Sequence, residues 1–212
     1  MIFASPWLLK KLFSGIAPRR LGRHHEYCQV FPERGTKAMI FYTADLHLFH
    51  KKILEYEKRP FASIEDMHET IISRWNSKVG EDDEVYILGD LSFQDSKRTA
   101  AILRSLKGKK YLLRGNHDGV ADSEKVQNEL EWVKDYYTLE DSGYFVVLFH
   151  YPILAWDGSH RGSIHLHGHI HSTLANKGMD PQIYQQIRNI YNVGVDVCNY
   201  EPVSLHELVP LV

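Results

Sequence analysis

The sequence predicts a layered α/β fold, and three observations support this prediction. The chain has 212 residues, of which 43% are hydrophobic and 25% charged, as in a globular domain of ordinary size. From residue 39 onward, short apolar segments alternate with segments of helical periodicity. Most of the apolar segments run into a loop that carries Asp, Asn or His side chains, and such loops occur where the strands of an α/β sheet end.

The predicted elements follow each other from residue 39. The first strand spans residues 39–43. Ser63 is a good N-cap for the helix that follows, and Gly80 is a good stop signal. The apolar positions of this helix recur at helical spacing at Ile64, Met67, Ile71 and Trp75. Further strands are predicted at residues 85–88, 111–113, 144–149, 164–166 and 190–195, with a second helix at 97–106.

Residues 1–38 differ from the rest of the chain in charge. They contain seven basic and two acidic residues, a net charge of +5, and show no sustained periodicity. Since the whole chain has a net charge of −2, residues 39–212 carry −7. We therefore expect a basic, poorly ordered N-terminal extension over residues 1–38 and an acidic folded domain over residues 39–212.

The composition also excludes several classes of protein. The two cysteines, Cys28 and Cys198, are too few for a disulfide framework and agree with a reducing cytoplasm, where we expect the protein. No apolar stretch approaches the roughly 18 residues of a membrane span, so no span is expected. An acidic domain without a basic stripe argues against a long nucleic acid as the partner.

Seven side chains with oxygen or nitrogen donors follow the predicted strands, and they are Asp45, His47, Asp90, Asn116, His150, His169 and His171. Residues two apart in an extended chain point to the same side, so the closely spaced pairs can each face one ion. Carboxylate, imidazole and amide donors without a thiolate suit Mn, Fe or Zn and argue against a structural zinc site of the Cys type. Seven ligands are too many for one ion that also binds water, but they suit two ions that share a carboxylate.

These residues lie in short motifs that resemble those of the calcineurin-like metallophosphoesterases, in the order of that family. The motifs are Asp45-Leu46-His47, Gly89-Asp90, Gly115-Asn116-His117-Asp118, His150 and Gly168-His169-Ile170-His171. The surrounding sequence, including Arg59-Pro60-Phe61 and the segment 192–196, is similar to a small bacterial and phage branch of the family. The resemblance implies an α-β-β-α sandwich with a dinuclear metal site at the carboxyl ends of its strands.

The resemblance also implies a role for each motif residue. The ligands of the first ion would be Asp45, His47 and His171, and those of the second would be Asn116, His150 and His169. Asp90 would bridge the two ions. His117 would stay off the metals, as a catalytic residue close to the leaving oxygen, and Asp118, also catalytic, would orient its imidazole.

The function implied is that of a metal-dependent phosphoester hydrolase, a phosphodiesterase or phosphatase that acts on a small phosphoester. Two divalent ions, with Mn favoured over Fe and Zn, would share a hydroxide as the nucleophile, because metal coordination lowers the pKa of water to about 7. Two alternatives stay open. One is a nuclease or cyclic-nucleotide hydrolase, and the other is a catalytically weak metal-binding scaffold or interaction module of the same fold. The motifs define neither the natural substrate nor the oligomeric state.

Other polar side chains carry expectations of their own. We expect His68, on the first predicted helix, to face solvent. His165 and His167 alternate with glycine and the ligands along one strand, and we expect them to lie behind the site or at the surface. Three basic residues are either contacts for a substrate phosphate or ordinary surface charges, and they are Lys51, Arg114 and Arg161.

Overall fold

A computed structural model describes residues 38–93, 95–172 and 180–209, and the structural statements below refer to these residues. The expected N-terminal extension lies outside them, apart from Ala38. The strands are β1 (Ile40–Thr43), β2 (Glu84–Leu88), β3 (Lys109–Leu113), β4 (Trp132–Lys134), β5 (Tyr136–Asp141), β6 (Tyr144–Phe149), β7 (Ile164–His167), β8 (Ile190–Asn192) and β9 (Val203–Ser204). The helices are α1 (Ile53–Tyr56), α2 (Ile64–Lys78), α3 (Ser96–Ser105), α4 (Glu124–Gln127), α5 (Pro181–Gln186) and α6 (Leu205–Leu208). None of the helices in these segments is long and apolar enough to cross a membrane.

The strands form two mixed sheets. In the first sheet, of order β4-β3-β2-β1-β9, neighbouring strands from β1 to β4 run parallel and β9 pairs antiparallel with β1. In the second sheet, of order β5-β6-β7-β8, β5 and β6 form an antiparallel hairpin, and β6, β7 and β8 run parallel. The hairpin turns through Ser142 and Gly143, which both have the positive φ of a tight two-residue turn. The predicted α/β fold class is confirmed.

Alternation along the strands separates the two faces of each sheet. One face of the first sheet packs against α2 and α3 through Phe41, Val85, Ile87 and Leu112. Its other face meets the second sheet in a core that contains Tyr42, Tyr86, Leu88, Leu113, Val146, Leu148, Ile164 and Leu166. On the far face of the second sheet, Val147 and Ile190 pack with Trp156 and with Tyr184 of α5. The layers therefore follow the order α-β-β-α.

The longest helix, α2, shows how local sequence fixes an element. It begins after Ser63, whose Oγ accepts a hydrogen bond from the N–H of Asp66 at 3.1 Å, as expected of an N-cap. Trp75 near its end is fully buried, and the indole N–H donates to the carbonyl of Lys107 at 2.9 Å. This one side chain therefore joins the helix to the segment that leads into β3.

The predicted strands and helices agree with the structure to within two residues, with one exception. The strand expected at residues 190–195 ends at Asn192, and the chain beyond it meets the first sheet through a parallel bridge between Ala44 and Gly194. The sequence did not predict β4, β5 or β9, nor the short helices α1, α4, α5 and α6. Most of these are too short to show a period, and β5 has half-buried side chains on both faces.

Candidate metal centre

The candidate ligands come from loops that follow parallel strands at one edge of the two sheets. β1 leads to Asp45 and His47, β2 to Asp90, and β3 to Asn116. In the second sheet, β6 leads to His150, and β7 leads to His169 and His171. Backbone hydrogen bonds of 2.9 Å join the loops, from the N–H groups of Asp45, His47 and Gly168 to the carbonyls of Gly89, Asp90 and His150. Parallel pairing therefore brings these distant parts of the sequence together.

The seven predicted ligands fall into two adjacent groups. Donor atoms lie within 4.8 Å of one another in a first group of Asp45, His47 and His171 and in a second group of Asp90, His150 and His169. Asn116 extends the second group, since its Oδ1 lies 3.2 Å from Nε2 of His150. Asp90 faces both groups: its Oδ2 lies 3.6 Å from Nε2 of His47, and its Oδ1 lies 3.7 Å from Nε2 of His150.

The surroundings of His47 indicate whether these groups suit a metal ion. Both of its ring nitrogens are buried and have no hydrogen-bond partner within the described part of the chain. An unpaired buried polar atom costs about 1–3 kcal/mol, and a cation bound to one of the nitrogens would remove that cost. Burial lowers the pKa of His47 and keeps the ring neutral, which is the form that binds metals. The donor set therefore fits a divalent cation.

Burial has the opposite effect on the two carboxylates. It raises the pKa of Asp45 to about 7, although the nearby His171 opposes the shift. Burial also raises the pKa of Asp90. A divalent cation beside these groups would favour their charged form, because opposite charges at close range lower the pKa of an acid. Two buried acids and the neutral ring of His47 together make a pocket that favours a cation.

Five of the predicted ligands adopt a left-handed backbone conformation. The angle φ is 58° at Asp45, 48° at His47, 54° at Asp90, 72° at His169 and 49° at His171. Residues other than glycine rarely have a positive φ, and each instance costs about 1–3 kcal/mol. Such strain is concentrated at functional sites, where the surrounding structure enforces it. The conformation of these loops is therefore consistent with a site that holds its side chains in fixed positions.

Two glycines allow the backbone to approach the carboxylates. A Cβ at Gly168 would stand 2.5 Å from Oδ2 of Asp45, and a Cβ at Gly115 would collide with Oδ1 of Asp90. Next to Gly168, the N–H of His169 donates to both carboxylate oxygens of Asp45, at 3.1 and 2.9 Å. Larger residues at these two positions would displace a carboxylate.

His117 lies beside the ligand groups at the edge of an open cleft. Its N–H donates to Oδ1 of Asp90 at 3.0 Å, and its ring centroid lies 4.5 Å from that of Phe93. The cleft has a volume of about 460 Å³. Its lining consists of Ser92, Phe93, Asp95, Ser96, His117, Gly119 and Val120. A group attached to a phosphate at the ligand groups could therefore extend past His117.

Asp118 has partners other than the one expected. Its carboxylate accepts hydrogen bonds of 2.8 Å from the backbone N–H groups of Asp90, Leu91 and Gly115. These contacts join the loops that follow β2 and β3. The structure therefore gives this carboxylate a place in the loop scaffold, and among the described residues it shows no hydrogen bond from the imidazole of His117 to this carboxylate.

Three further histidines are buried. The prediction that His68 faces solvent is wrong, because its Nε2 accepts a hydrogen bond from the N–H of Phe49 at 2.8 Å in a buried position on α2. His165 and His167 are also fully buried, so neither lies at the surface. Nε2 of His167 accepts a hydrogen bond from the hydroxyl of Tyr184 at 2.8 Å, which supports β7 from the far side of the sheet.

Two of the three predicted phosphate contacts have acidic partners. Arg114 pairs with Asp122 at 2.6 Å, and Arg161 lies 3.7 Å from Asp157 at the surface. Lys51 is exposed in the segment between β1 and α1. These ion pairs agree with the alternative of ordinary surface charges for Arg114 and Arg161, and contact with a substrate phosphate stays a prediction.

Two residues without a role predicted from the sequence, Asp196 and Arg59, contact the first ligand group. Oδ2 of Asp196 accepts a hydrogen bond from Nδ1 of His171 at 2.7 Å, and Arg59 donates to the carbonyl of Asp45 at 2.8 Å. Asp196 directly follows the strand predicted at residues 190–195, so the occurrence of polar residues after strands could have identified it. Arg59 lies in a loop between two helices, and nothing in the local sequence indicates that it is buried.

Parallel strands that end in clustered Asp, Asn and His side chains define a candidate metal centre in a layered α/β fold. A family model described as calcineurin-like phosphoesterase matches residues 39–193, and the chain belongs to this family. The family membership predicted from the motifs is thereby confirmed, and it supports metal-dependent hydrolysis of phosphoesters in general.

Individual relatives come from archaea, phages and bacteria. The chain is 35% identical over 175 residues to "Uncharacterized protein MJ1445" of Methanocaldococcus jannaschii, a match that covers 82% of this chain and 90% of the relative. It is 30% identical to the gene 66 protein of Mycobacterium phage D29, with 81% and 92% covered. A solved structure, the protein of unknown function AQ665 from Aquifex aeolicus, has a TM-score of 0.65 at 23% identity and covers 81% of this chain and 98% of its own. This last likeness shows the fold alone.

Proposed function

We propose that the protein is a dinuclear-metal phosphoester hydrolase, a phosphodiesterase or phosphatase. The observation that carries the proposal is the position of Asp90 between the two ligand groups. Its two oxygens lie 3.6 and 3.7 Å from a histidine of each group, His47 and His150. A carboxylate shared in this way is what a two-ion site requires.

Each of the two proposed ions has its own set of ligands. Those of the first ion are Asp45, His47 and His171, and those of the second are Asn116, His150 and His169. Asp90 serves both, and Mn is the favoured metal. Two divalent ions, when bound, supply Lewis-acid activation of water and neutralise charge on the phosphoryl group. Because Asp45 and Asp90 offset only half of their charge, the pocket can hold a phosphoryl group although residues 39–212 carry a net charge of −7.

His117 is the proposed proton donor to the leaving oxygen. It belongs to neither ligand group, it is exposed to the cleft, and its backbone is tied to Asp90. A positioned general acid typically contributes 10²- to 10⁴-fold to the rate. The cleft beside His117 would then take the leaving group. A scaffold has no need of an exposed histidine at this position, which favours an enzyme over the scaffold alternative.

The substrate of the enzyme is proposed only as a class. The acidic domain argues against a long nucleic acid, and a small phosphoester is the proposed substrate. A location in the cytoplasm stays a prediction from the cysteine content.

The test combines metal analysis with hydrolysis of an aryl phosphate monoester and an aryl phosphate diester. We expect two Mn ions per chain and hydrolysis of at least one ester. His117→Ala should lower kcat about 10²- to 10⁴-fold and keep both ions, because it removes the acid and no ligand. Asn116→Ala should weaken binding of the second ion.

His206→Ala is the matched control, because His206 is exposed and hydrogen-bonds to Ser142 in the β5–β6 turn, at the opposite end of β6 from His150. It should keep full activity. A protein that binds no ion after Mn, Fe or Zn is supplied would overturn the proposed function. Full activity of His117→Ala would overturn the role given to that residue.

A further inference from the structure

A buried ion pair lies behind the first ligand group. Nε and Nη2 of Arg59 donate to Oδ1 and Oδ2 of Asp196 at 2.7 and 2.8 Å, and the two side chains are 0% and 3% exposed. This forked geometry fixes the two side chains relative to each other. A buried pair is a weak source of net stability, because the loss of hydration offsets the attraction between the charges. Its presence calls for another explanation, which its remaining contacts provide.

Asp196 holds one ligand of the first group. Its Oδ2 accepts a hydrogen bond from Nδ1 of His171 at 2.7 Å. Since the proton of His171 is then on Nδ1, Nε2 is the atom that can bind an ion. The ring of His171 also stacks against that of His47, with centroids 4.9 Å apart. The position of Asp196 therefore determines both the tautomer and the direction of a ligand.

Arg59 holds the turn that carries the other two ligands of the first group. Its Nη2 donates to the carbonyl of Asp45 at 2.8 Å, and its Nη1 donates to the carbonyl of Leu46 at 3.1 Å. These carbonyls belong to the segment in which Asp45 and His47 have the left-handed backbone. The guanidinium of Arg59 donates several hydrogen bonds and accepts none. It therefore suits this place, because the two buried carbonyls need donors.

The second group has supports of its own. Nδ1 of His150 donates to the carbonyl of Leu88 at 2.8 Å, and the carboxylate of Asp118 holds the backbone of Asp90. Among the hydrogen bonds and ion pairs of the described residues, none joins Arg59 or Asp196 to Asp90 or His150. The contacts of the ion pair therefore favour the first group.

We propose that Arg59 and Asp196 are positioning residues that set the metal affinity of the first ligand group and leave that of the second unchanged. The inference rests on the proposed dinuclear centre. Loss of an outer partner of a metal-binding histidine typically weakens metal binding 10- to 100-fold, and we expect an effect of that size.

The test is a calorimetric titration of metal-free protein with Mn²⁺. Asp196→Asn keeps the size of the side chain and removes its charge. In a His150→Ala background, which lacks a ligand of the second group, the Kd should rise about 10- to 100-fold. In a His47→Ala background, which lacks a ligand of the first group, the Kd should not change. Arg59→Lys keeps the charge but cannot form the fork, so it should have the same selective effect.

Asp83→Asn is the matched control, because Asp83 is also a buried carboxylate and binds backbone N–H groups of Met39 and Gly80 away from the site. It should leave both affinities unchanged. If Asp196→Asn does not fold, as judged by circular dichroism, Arg59→Lys decides the outcome. The inference would be overturned if the substitution weakened Mn²⁺ binding equally in the His150→Ala and His47→Ala backgrounds, or in neither of them. A wild-type protein that binds no ion would instead overturn the proposed function.

Discussion

A single neutral ring, that of His68, holds the backbone close to the first ligand group. Its Nε2 accepts the N–H of Phe49, a residue with φ of 65° that lies two positions after the ligand His47. Burial lowers the pKa of His68 from its ordinary 6.5, so the ring stays neutral in the folded protein. Protonation would turn the acceptor nitrogen into a donor and break the bond.

The stability that His68 provides should therefore depend on pH. Because its pKa is lower in the folded than in the unfolded protein, its contribution is complete above pH 6.5 and is lost as the pH falls through the lowered value. We expect His68→Phe to lower the free energy of unfolding by roughly 1 kcal/mol at neutral pH and by less in acid. Urea unfolding of both proteins over a series of pH values measures this difference.

His160→Phe serves as the control, because His160 is exposed, and it should keep the pH dependence of the wild type. A difference between wild type and His68→Phe that is constant with pH would contradict the interpretation of His68.

The predictability of individual residues depends on where their partners lie in the sequence. Asp45, Asp90 and His150 could be predicted as ligands because each lies within two residues of the end of an apolar strand. The burial of His68 depends on Phe49, 19 residues away, and the pairing of Arg59 depends on Asp196, 137 residues away. Such partners are brought together by packing, which no local pattern records.

Among the elements, the turn after β3 makes the closest approach to the ligands. The backbone of Gly115 passes so near Asp90 that a Cβ there would stand 2.5 Å from the backbone nitrogen of Asp90 and collide with its carboxylate. The same turn carries Asn116 and His117, so a shift of the turn would move both of these side chains and press on the carboxylate of Asp90.

Gly115→Ala should therefore damage the site more than the fold. We expect a loss of about 1–3 kcal/mol in the free energy of unfolding from overpacking, together with loss of at least one Mn ion and a fall in kcat. Gly119→Ala, four residues away, is the control, since a Cβ at Gly119 meets nothing within 4 Å. Thermal unfolding and metal analysis of both variants provide the comparison. Full metal content in Gly115→Ala would contradict this description of the turn.

The long and well-buried elements could be predicted from the sequence, and the short or exposed ones could not. β2 is a continuous apolar run and α2 shows a clear helical period, and the structure has both within one or two residues of the predicted bounds. β4 has three half-buried or exposed residues at the edge of the first sheet, where the apolar signal is weak. That loops from both sheets contribute to one site could be predicted only from the chemistry of the ligands.

For the molecule as a whole, the ligand groups couple metal binding to stability. Loops that leave both sheets meet at these groups, and several of their residues have strained backbones or buried polar atoms that find no hydrogen-bond partner within residues 38–93, 95–172 and 180–209. An ion that binds the folded chain and not the unfolded chain stabilises it by about 2.7 kcal/mol at a concentration of 100 times Kd.

Removal of the metals with a chelator should therefore lower the Tm. For a domain of this size, about 2.7 kcal/mol corresponds to a fall of roughly 5–10 °C. Differential scanning calorimetry with and without excess Mn²⁺ measures the change. The double variant His47→Ala and His150→Ala, which lacks a ligand in each group, should show no Mn²⁺-dependent shift. An equal Tm of the wild type in both conditions would contradict the coupling.

The left-handed backbone of the ligand residues has a practical consequence for finding the natural substrate. Asparagine adopts this conformation more readily than most residues, and it also resembles aspartate in size. Asp45→Asn and Asp90→Asn should therefore inactivate the protein without moving the loops. Such variants would hold an uncleaved molecule in the cleft, so that it could be recovered from a cell extract and identified by mass spectrometry.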